Sequence, residues 1–172
     1  MSSDSPIAII PPWDVVSLKS VTLKIRSGST PRGGASSYLK ERSEYALVRS
    51  QNIFDSHFSK EGLAFISDSQ ASEMEGVHLQ SGDVLLNITG DGVTFARAAI
   101  VPDEILPACV NQHVSIIRPN TEVLCSGYLL CWLVYPTVKS YIESFNSGGS
   151  RRAITKGAIE SFRIQLPPLG AS

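Results

Sequence analysis

"LQSGDVLLNITGDGVTFARAAIVPDE" runs from Leu79 to Glu104. Two apolar runs, Asp83 to Thr89 and Phe95 to Val101, flank the turn-forming tetrapeptide Thr89-Gly90-Asp91-Gly92. Short apolar runs bounded by turn residues predict strands, and glycine-aspartate between them predicts a hairpin. Three more strands are expected at Tyr45–Val48, Ala64–Ile66 and His113–Ile117, separated by Gly, Pro, Asn or Asp. A series of short strands with such punctuation fits a curled, barrel-like, mostly antiparallel sheet.

Helical signals lie on either side of this strand-rich middle. Ser17 is placed to cap a short helix in which Leu18, Val21 and Ile25 recur at helical spacing, with Gly28 as its stop. Ser126 to Phe145 reads as helical, with Tyr128, Leu129, Trp132 and Leu133 on one face and Pro136 opening a second helix. Thr155 is expected to cap a helical turn or two, and Arg163–Leu166 to form a last strand before Pro167-Pro168. The expected fold is α+β: a single domain with a barrel-like sheet in the middle and short helices in the N- and C-terminal parts. Its expected limits are an arm at 1–12, the domain at 13–169 and a tail at 170–172.

The chain has 172 residues and is 42% hydrophobic, enough for one domain with a core of its own. With no apolar run of membrane-spanning length and no basic leader, the expectation is a soluble cytoplasmic protein. Cys109, Cys125 and Cys131 are an odd set without C-x-x-C spacing, so buried reduced thiols are expected. His57, His78 and His113 are scattered, and no metal site is indicated.

The formal net charge is −1, but its distribution is uneven. From Trp13 to Lys60 there are eight basic residues against four acidic ones, and from Glu61 to Cys125 nine acids against Arg97 and Arg118. From Ser126 onward, Lys139, Arg151, Arg152, Lys156 and Arg163 stand against Glu143 and Glu160. A fold that joins the two basic ends would carry a cationic face and an acidic back.

Enzymatic motifs are missing. The chain has no phosphate-binding G-x-x-x-x-G-K-[ST] loop and no G-x-G-x-x-G after a strand. Ile10-Pro11-Pro12-Trp13 lacks the asparagine with which amino-methyltransferases hold their target amine. Asp103-Glu104 has no acidic-x-lysine element downstream, and neither Ser147 nor Ser150 lies in G-x-S-x-G. These residues describe a binding protein.

Its candidate contacts are polar, glycine-rich loops. Asn146 to Arg152 offers Ser147, Ser150, Arg151 and Arg152, and Thr155 and Lys156 follow. Arginine suits phosphate oxygens or the two major-groove acceptors of guanine. Ser29, Thr30 and Arg32 sit in "SGSTPRGG" (27–34), and Arg49, Gln51 and Asn52 leave a strand. Asn87, Thr89 and Asp91 lie at the hairpin, with Arg97 beyond it. Asparagine or glutamine pairs with adenine through donor and acceptor together, although the same amides also satisfy loop backbone. Asn111 and Gln112, at a strand entry, read as structural.

Six segments in order, "IRSGSTPRGG" (25–34), "LVRSQNI" (47–53), the opening stretch (79–104), "VNQHVSIIRP" (110–119), "YLLCWL" (128–133) and "GGSRRAITKGAIESFRIQLPPL" (148–169), resemble a target recognition domain of the type I restriction-modification specificity subunit. The resemblance covers Trp13 to Leu169. It implies a non-catalytic module of prokaryotic defence that reads one half of a split double-stranded DNA target. It further implies methyltransferase subunits bringing S-adenosylmethionine, restriction subunits using ATP and Mg, and a second recognition domain or a homodimer as partners. No cofactor is expected in this chain and no membrane. Where that family usually continues into a spacer helix, this sequence reads Gly-Ala-Ser, a truncation point in that scheme. A protein-interaction scaffold of the same fold, docking methyltransferase subunits without reading DNA, is the alternative.

Overall fold

The computed structural model describes residues 12–90, 92–145 and 151–168. Its strands are β1 (Asp14–Ser17), β2 (Thr22–Ser27), β3 (Tyr45–Val48), β4 (Ile53–Phe54), β5 (His57–Phe58), β6 (Ala64–Ile66) and β7 (Val84–Asn87). They continue with β8 (Thr89–Gly90), β9 (Ala98–Ile100), β10 (Ala108–Val110), β11 (Val114–Pro119), β12 (Arg152–Ala153) and β13 (Arg163–Leu166). The helices are α1 (Asp68–Glu73), α2 (Ser126–Val134), α3 (Pro136–Glu143) and α4 (Lys156–Ser161).

The centre is a four-stranded antiparallel sheet in the order β2-β11-β7-β9. Val84, Leu85 and Leu86 leave β7 no polar face, and a strand alternates its side chains between faces. Both faces are therefore apolar. Val84, Leu86, Ala98, Ile117 and Ile25 enter one core with α2, α3, Phe162 and Ile164. Leu85, Ala99, Val114 and Ile116 enter a second core with Leu47, Val48, Ile66 and Cys109. The latter four come from a three-stranded sheet, β10-β3-β6, in which β10 and β3 run parallel. Burying each large side chain such as Leu85 contributes about 1.5–3 kcal/mol.

Stacking of this kind corrects the barrel-like expectation. The described strands form separate sheets and no closed barrel. A sheet with two apolar faces has to be covered on both sides, by helices on one and by a second sheet on the other, and it does not curl round a single interior. The α+β class, the antiparallel majority and the C-terminal helices stand as read. Pro136 opens α3, and Thr155 caps α4 by accepting from Ala158 N at 3.1 Å.

The expected N-terminal helix is a second correction. Ser17 does cap a turn, but a single 3₁₀ turn, Leu18–Val21, after which the chain extends as β2. The spacing misleads because positions four apart share a face in a strand as well as in a helix, and β-branched Thr22 and Ile25 favour extension. Leu23 is the extra residue of a bulge opposite Arg118 and Pro119 and is 69% exposed.

The hairpin is present, since β7 and β9 pair antiparallel. Its connection does not close tightly, because β8 leaves the sheet to pair with β12, Arg152 opposite Gly90 and Ala153 opposite Thr89. Phe95 and Ala96, expected in the second strand, are buried in the turn that precedes it, with Ala96 at φ 68°.

At the end of β7, Arg118 holds Asp83 in a two-pronged pair, Nε to Oδ1 at 2.7 Å and Nη2 to Oδ2 at 3.0 Å. In the first core, Phe162 lies among Trp132, Tyr141 and Phe145 with ring centroids 6.2, 5.8 and 6.0 Å away. Its carbonyl also accepts from Leu18 N at 2.7 Å, tying the last helix to the first turn. Phe162→Ala should cost about 3–5 kcal/mol of unfolding free energy, read as a lower midpoint in urea.

The cysteines are a third correction: Cys109 is buried, but Cys125 and Cys131 are exposed. Burial pushes the Cys109 thiol up to about 12, which leaves almost none of the reactive thiolate at neutral pH. Ellman's reagent should therefore titrate Cys125 and Cys131 in the folded protein and Cys109 only in denaturant.

Candidate nucleic-acid interface

Backbone hydrogen bonds at the strand ends gather most of the candidate loops. Gly28 N donates to Val114 O at 3.0 Å and Ser29 N to Val110 O at 3.2 Å. A Cβ on Gly28 would sit 2.1 Å from the Val110 carbonyl oxygen, so only glycine allows this approach. Asn111 N donates to Val48 O at 3.0 Å, which brings in the exit of β3 and with it Arg49 to Asn52. Ile88 N donates to His113 O at 3.0 Å and Ile154 N to Ile88 O at 2.9 Å, adding the hairpin and the arginine strand β12. Ser29, Arg49, Gln51, Thr89 and Arg152 thus lie at one end of the sheets.

Three arginines there are each set over an aromatic ring. The Arg49 guanidinium is 5.3 Å from the Tyr38 ring centre, and its Nη2 donates to Gly62 O at 2.5 Å. Arg97 lies 4.6 Å over Phe54, and Arg152 lies 5.5 Å over Phe95. Such contacts contribute about 0.5–1 kcal/mol each at exposed sites. They restrict where each guanidinium sits, and Arg97 and Arg152 are only half-buried.

Not every candidate faces outward. Asn52 is fully buried: its Oδ1 accepts from Arg49 N at 2.9 Å, and its Nδ2 donates to Ser59 O at 3.0 Å and Glu61 O at 3.3 Å. Asn87 is fully buried as well, and its Nδ2 donates to Ser50 O at 3.1 Å and Thr94 O at 2.8 Å. Asn52 serves loop backbone through both its oxygen and its nitrogen and Asn87 through its nitrogen, which makes them supports for Arg49 and the hairpin. Thr89 is half-buried, its hydroxyl 2.5 Å from His113 Nδ1. Thr30, Arg32, Gln51, Arg151, Thr155 and Lys156 are exposed. Arg32 lies 3.8 Å from Glu73, and the Thr155 hydroxyl is used in capping α4. Asp91, Ser147 and Ser150 lie outside the described residues. Asn111 is structural as expected, accepting from His113 N at 3.1 Å.

Lys156 opens elsewhere. With Lys19, Lys24, Leu23 and Glu160 it lines a depression of about 340 Å³ beside β2. Burial first, then the neighbouring Arg118 and Arg26, push the Lys24 ammonium below its usual value. The two basic segments do meet, through β1 with β13 and α4 against the 3₁₀ turn. The split into a cationic face and an acidic back is not clean, because acids of the middle segment pair with these cations. Lys60 meets Glu104 at 2.8 Å and Arg32 meets Glu73 at 3.8 Å, while Lys139 is paired within the basic segments, to Asp55 at 2.9 Å.

Sequence reasoning missed the rings. Tyr38, Phe54 and Phe95 carry no local signal, since each meets its arginine only through the fold.

The model of the type I restriction modification DNA specificity domain matches residues 11–171 of this chain. The chain belongs to this family. The specificity domain is 24% identical over 162 residues to the MjaX type I restriction enzyme specificity subunit assigned in Methanocaldococcus jannaschii, covering 91% of this chain and 36% of the relative. It shares its fold with a chain from a structure of type I R-M complex assembly and conformational transition, at a TM-score of 0.69 and 22% identity, covering 95% of this chain and 36% of that one. It also shares it with the HsdS subunit of Thermoanaerobacter tengcongensis, at 0.63 and 23% identity over 94% and 35% of the two chains. The specificity domain spans little more than a third of each of these relatives.

Removing the Asn52 amide leaves the Arg49 N–H and the Ser59 and Glu61 carbonyls short of a partner. Asn52→Ala should lower the unfolding free energy by about 1–3 kcal/mol, measured by urea denaturation followed by tryptophan fluorescence.

Proposed function

We propose that this specificity domain reads one half of a bipartite double-stranded DNA target by sequence and performs no catalysis itself. The observation that carries the reading is the row of three ring-held arginines, Arg49, Arg97 and Arg152, along the end where the loops gather. A guanidinium held in one plane loses less freedom on docking against a phosphate or the paired acceptors of guanine than a swinging one does. Ser29, Thr30, Gln51 and Thr89 supply neutral donors and acceptors beside them, and Arg32 and Arg151 add charge at the rim. Asp91, Ser147 and Ser150 complete the proposed contact set, with Thr155 and Lys156 at its margin and Asn52 and Asn87 as its supports.

In this reading the domain works in the cytoplasm with methyltransferase subunits that bring S-adenosylmethionine and restriction subunits that use ATP and Mg. A second recognition domain, or a second copy, supplies the other half of the target. Among the described residues no helix is long and apolar enough to cross a membrane.

Selection from a randomised duplex pool at low salt, followed by sequencing, tests the reading. The wild-type chain should enrich a motif of a few base pairs. Where Arg97→Ala or Arg152→Ala removes a base contact, one position of the motif should relax by about 1–3 kcal/mol. Where it removes a phosphate contact, the motif should persist and the salt slope of binding should fall by about 1. A folded wild type that enriches no motif overturns the reading in favour of the scaffold.

A further inference from the structure

The proposed reading leaves several exposed apolar side chains unused, Val93 foremost among them. Val93 is 82% exposed, more than any other large apolar side chain among the described residues. It sits in the connection between β7 and β9, three residues after Gly90, which pairs with Arg152. Scattered exposed apolar side chains need no explanation by themselves. This one has a defined setting, because described residues before and after it, Gly90 and Thr94, are both held.

Behind Val93, the Thr94 carbonyl is held by the buried Asn87 amide at 2.8 Å, and Phe95 is packed in the first core. In front of it, Gly90 is paired with Arg152, whose guanidinium lies over the same Phe95 ring. Arg152, over the Phe95 ring, and Val93, two residues before Phe95, are therefore neighbours on this part of the surface. A two-stranded ribbon is of a size that the major groove of B-DNA admits, and that groove displays two features that match this pair. Guanine offers paired acceptors to an arginine, and thymine offers its 5-methyl group to an apolar side chain. Phe54, 40% exposed under Arg97, lies beside the same turn, since Arg97 N donates to Thr94 O at 3.3 Å. The neighbourhood thus alternates cation and apolar surface, which suits base edges better than it suits a phosphate backbone, where an apolar group finds no partner.

We infer that the β8–β12 ribbon enters the major groove and that the nearby Val93 reads a thymine through that base's 5-methyl group. The inference rests on the DNA-reading proposal and names one of its contacts. The contact is a burial of methyl against methyl, so its strength should be about that of one buried carbon, near fourfold in affinity.

The test replaces the thymines of the selected half-site by uracil, one at a time, which removes only the methyl group. Binding is followed by fluorescence anisotropy at low salt for the wild-type chain and for Val93→Ala. Circular dichroism and urea unfolding confirm that both are folded. At one position the wild type should lose about fourfold on uracil substitution. Val93→Ala should lose a similar amount with thymine present, with no further loss on uracil at that position. The inference is overturned if wild-type binding ignores every uracil, if Val93→Ala keeps the full uracil sensitivity, or if the selected half-site contains no A·T pair. Failure of the wild type to enrich any motif is a different result, since it removes the DNA reading and this contact with it.

Discussion

A strand buried on both faces has no side chain to spare for a ligand. β7 is such a strand, with Val84 and Leu86 in one core and Leu85 in the other, and its partner β11 divides Ile117 and Ile116 in the same way. Polar function in this domain is thereby forced to the strand ends. At one end Asp83 is closed off by Arg118. At the other, the chain leaves the sheets as loops, and the backbone bonds from Ser29 to Val110, Asn111 to Val48 and Ile154 to Ile88 draw those loops together. The position of the proposed interface follows from the double burial of the sheet.

Loops at strand ends are usually the least fixed part of a domain. Here two buried amides oppose that tendency. Asn52 closes the turn after Arg49, and Asn87 joins Ser50 to Thr94 across two different loops. The arginines are held from the side by Tyr38, Phe54 and Phe95. Buried amides set the backbone and rings set the guanidiniums, so the surface that meets a ligand is organised before the ligand arrives, which reduces the ordering cost of binding.

Much of this was legible in the sequence wherever the signal was local. The strands around Leu47, Phe65 and Leu85, the break at Pro136 and the cap at Thr155 all rest on neighbours within a few residues. The N-terminal helix misled because Leu18, Val21 and Ile25 satisfy two periods at once. The barrel misled because alternation tells which way a side chain points and not what covers it. Arg49, Arg97 and Arg152 were visible as arginines, but their rings were not, because each pair joins distant parts of the chain. Asn52 and Asn87 read from the sequence as contacts through their paired donor and acceptor. That same pairing is what a bare loop carbonyl and N–H require, and only burial separates the two uses.

A net charge of −1 fits this arrangement better than a basic surface would. Lys60 and Lys139 are matched by Glu104 and Asp55, and Lys19 by Glu160. The phosphate attraction that any duplex would exert is correspondingly small. A domain of the proposed kind then discriminates through a few oriented groups, while its weak general attraction holds down binding to target and unrelated sequence alike. Low affinity for a half-site is tolerable when a second reader is attached, because linkage makes the second contact intramolecular and multiplies the two affinities. Near-neutrality in each reader is therefore the condition under which a pair can be tight on the correct target and loose everywhere else.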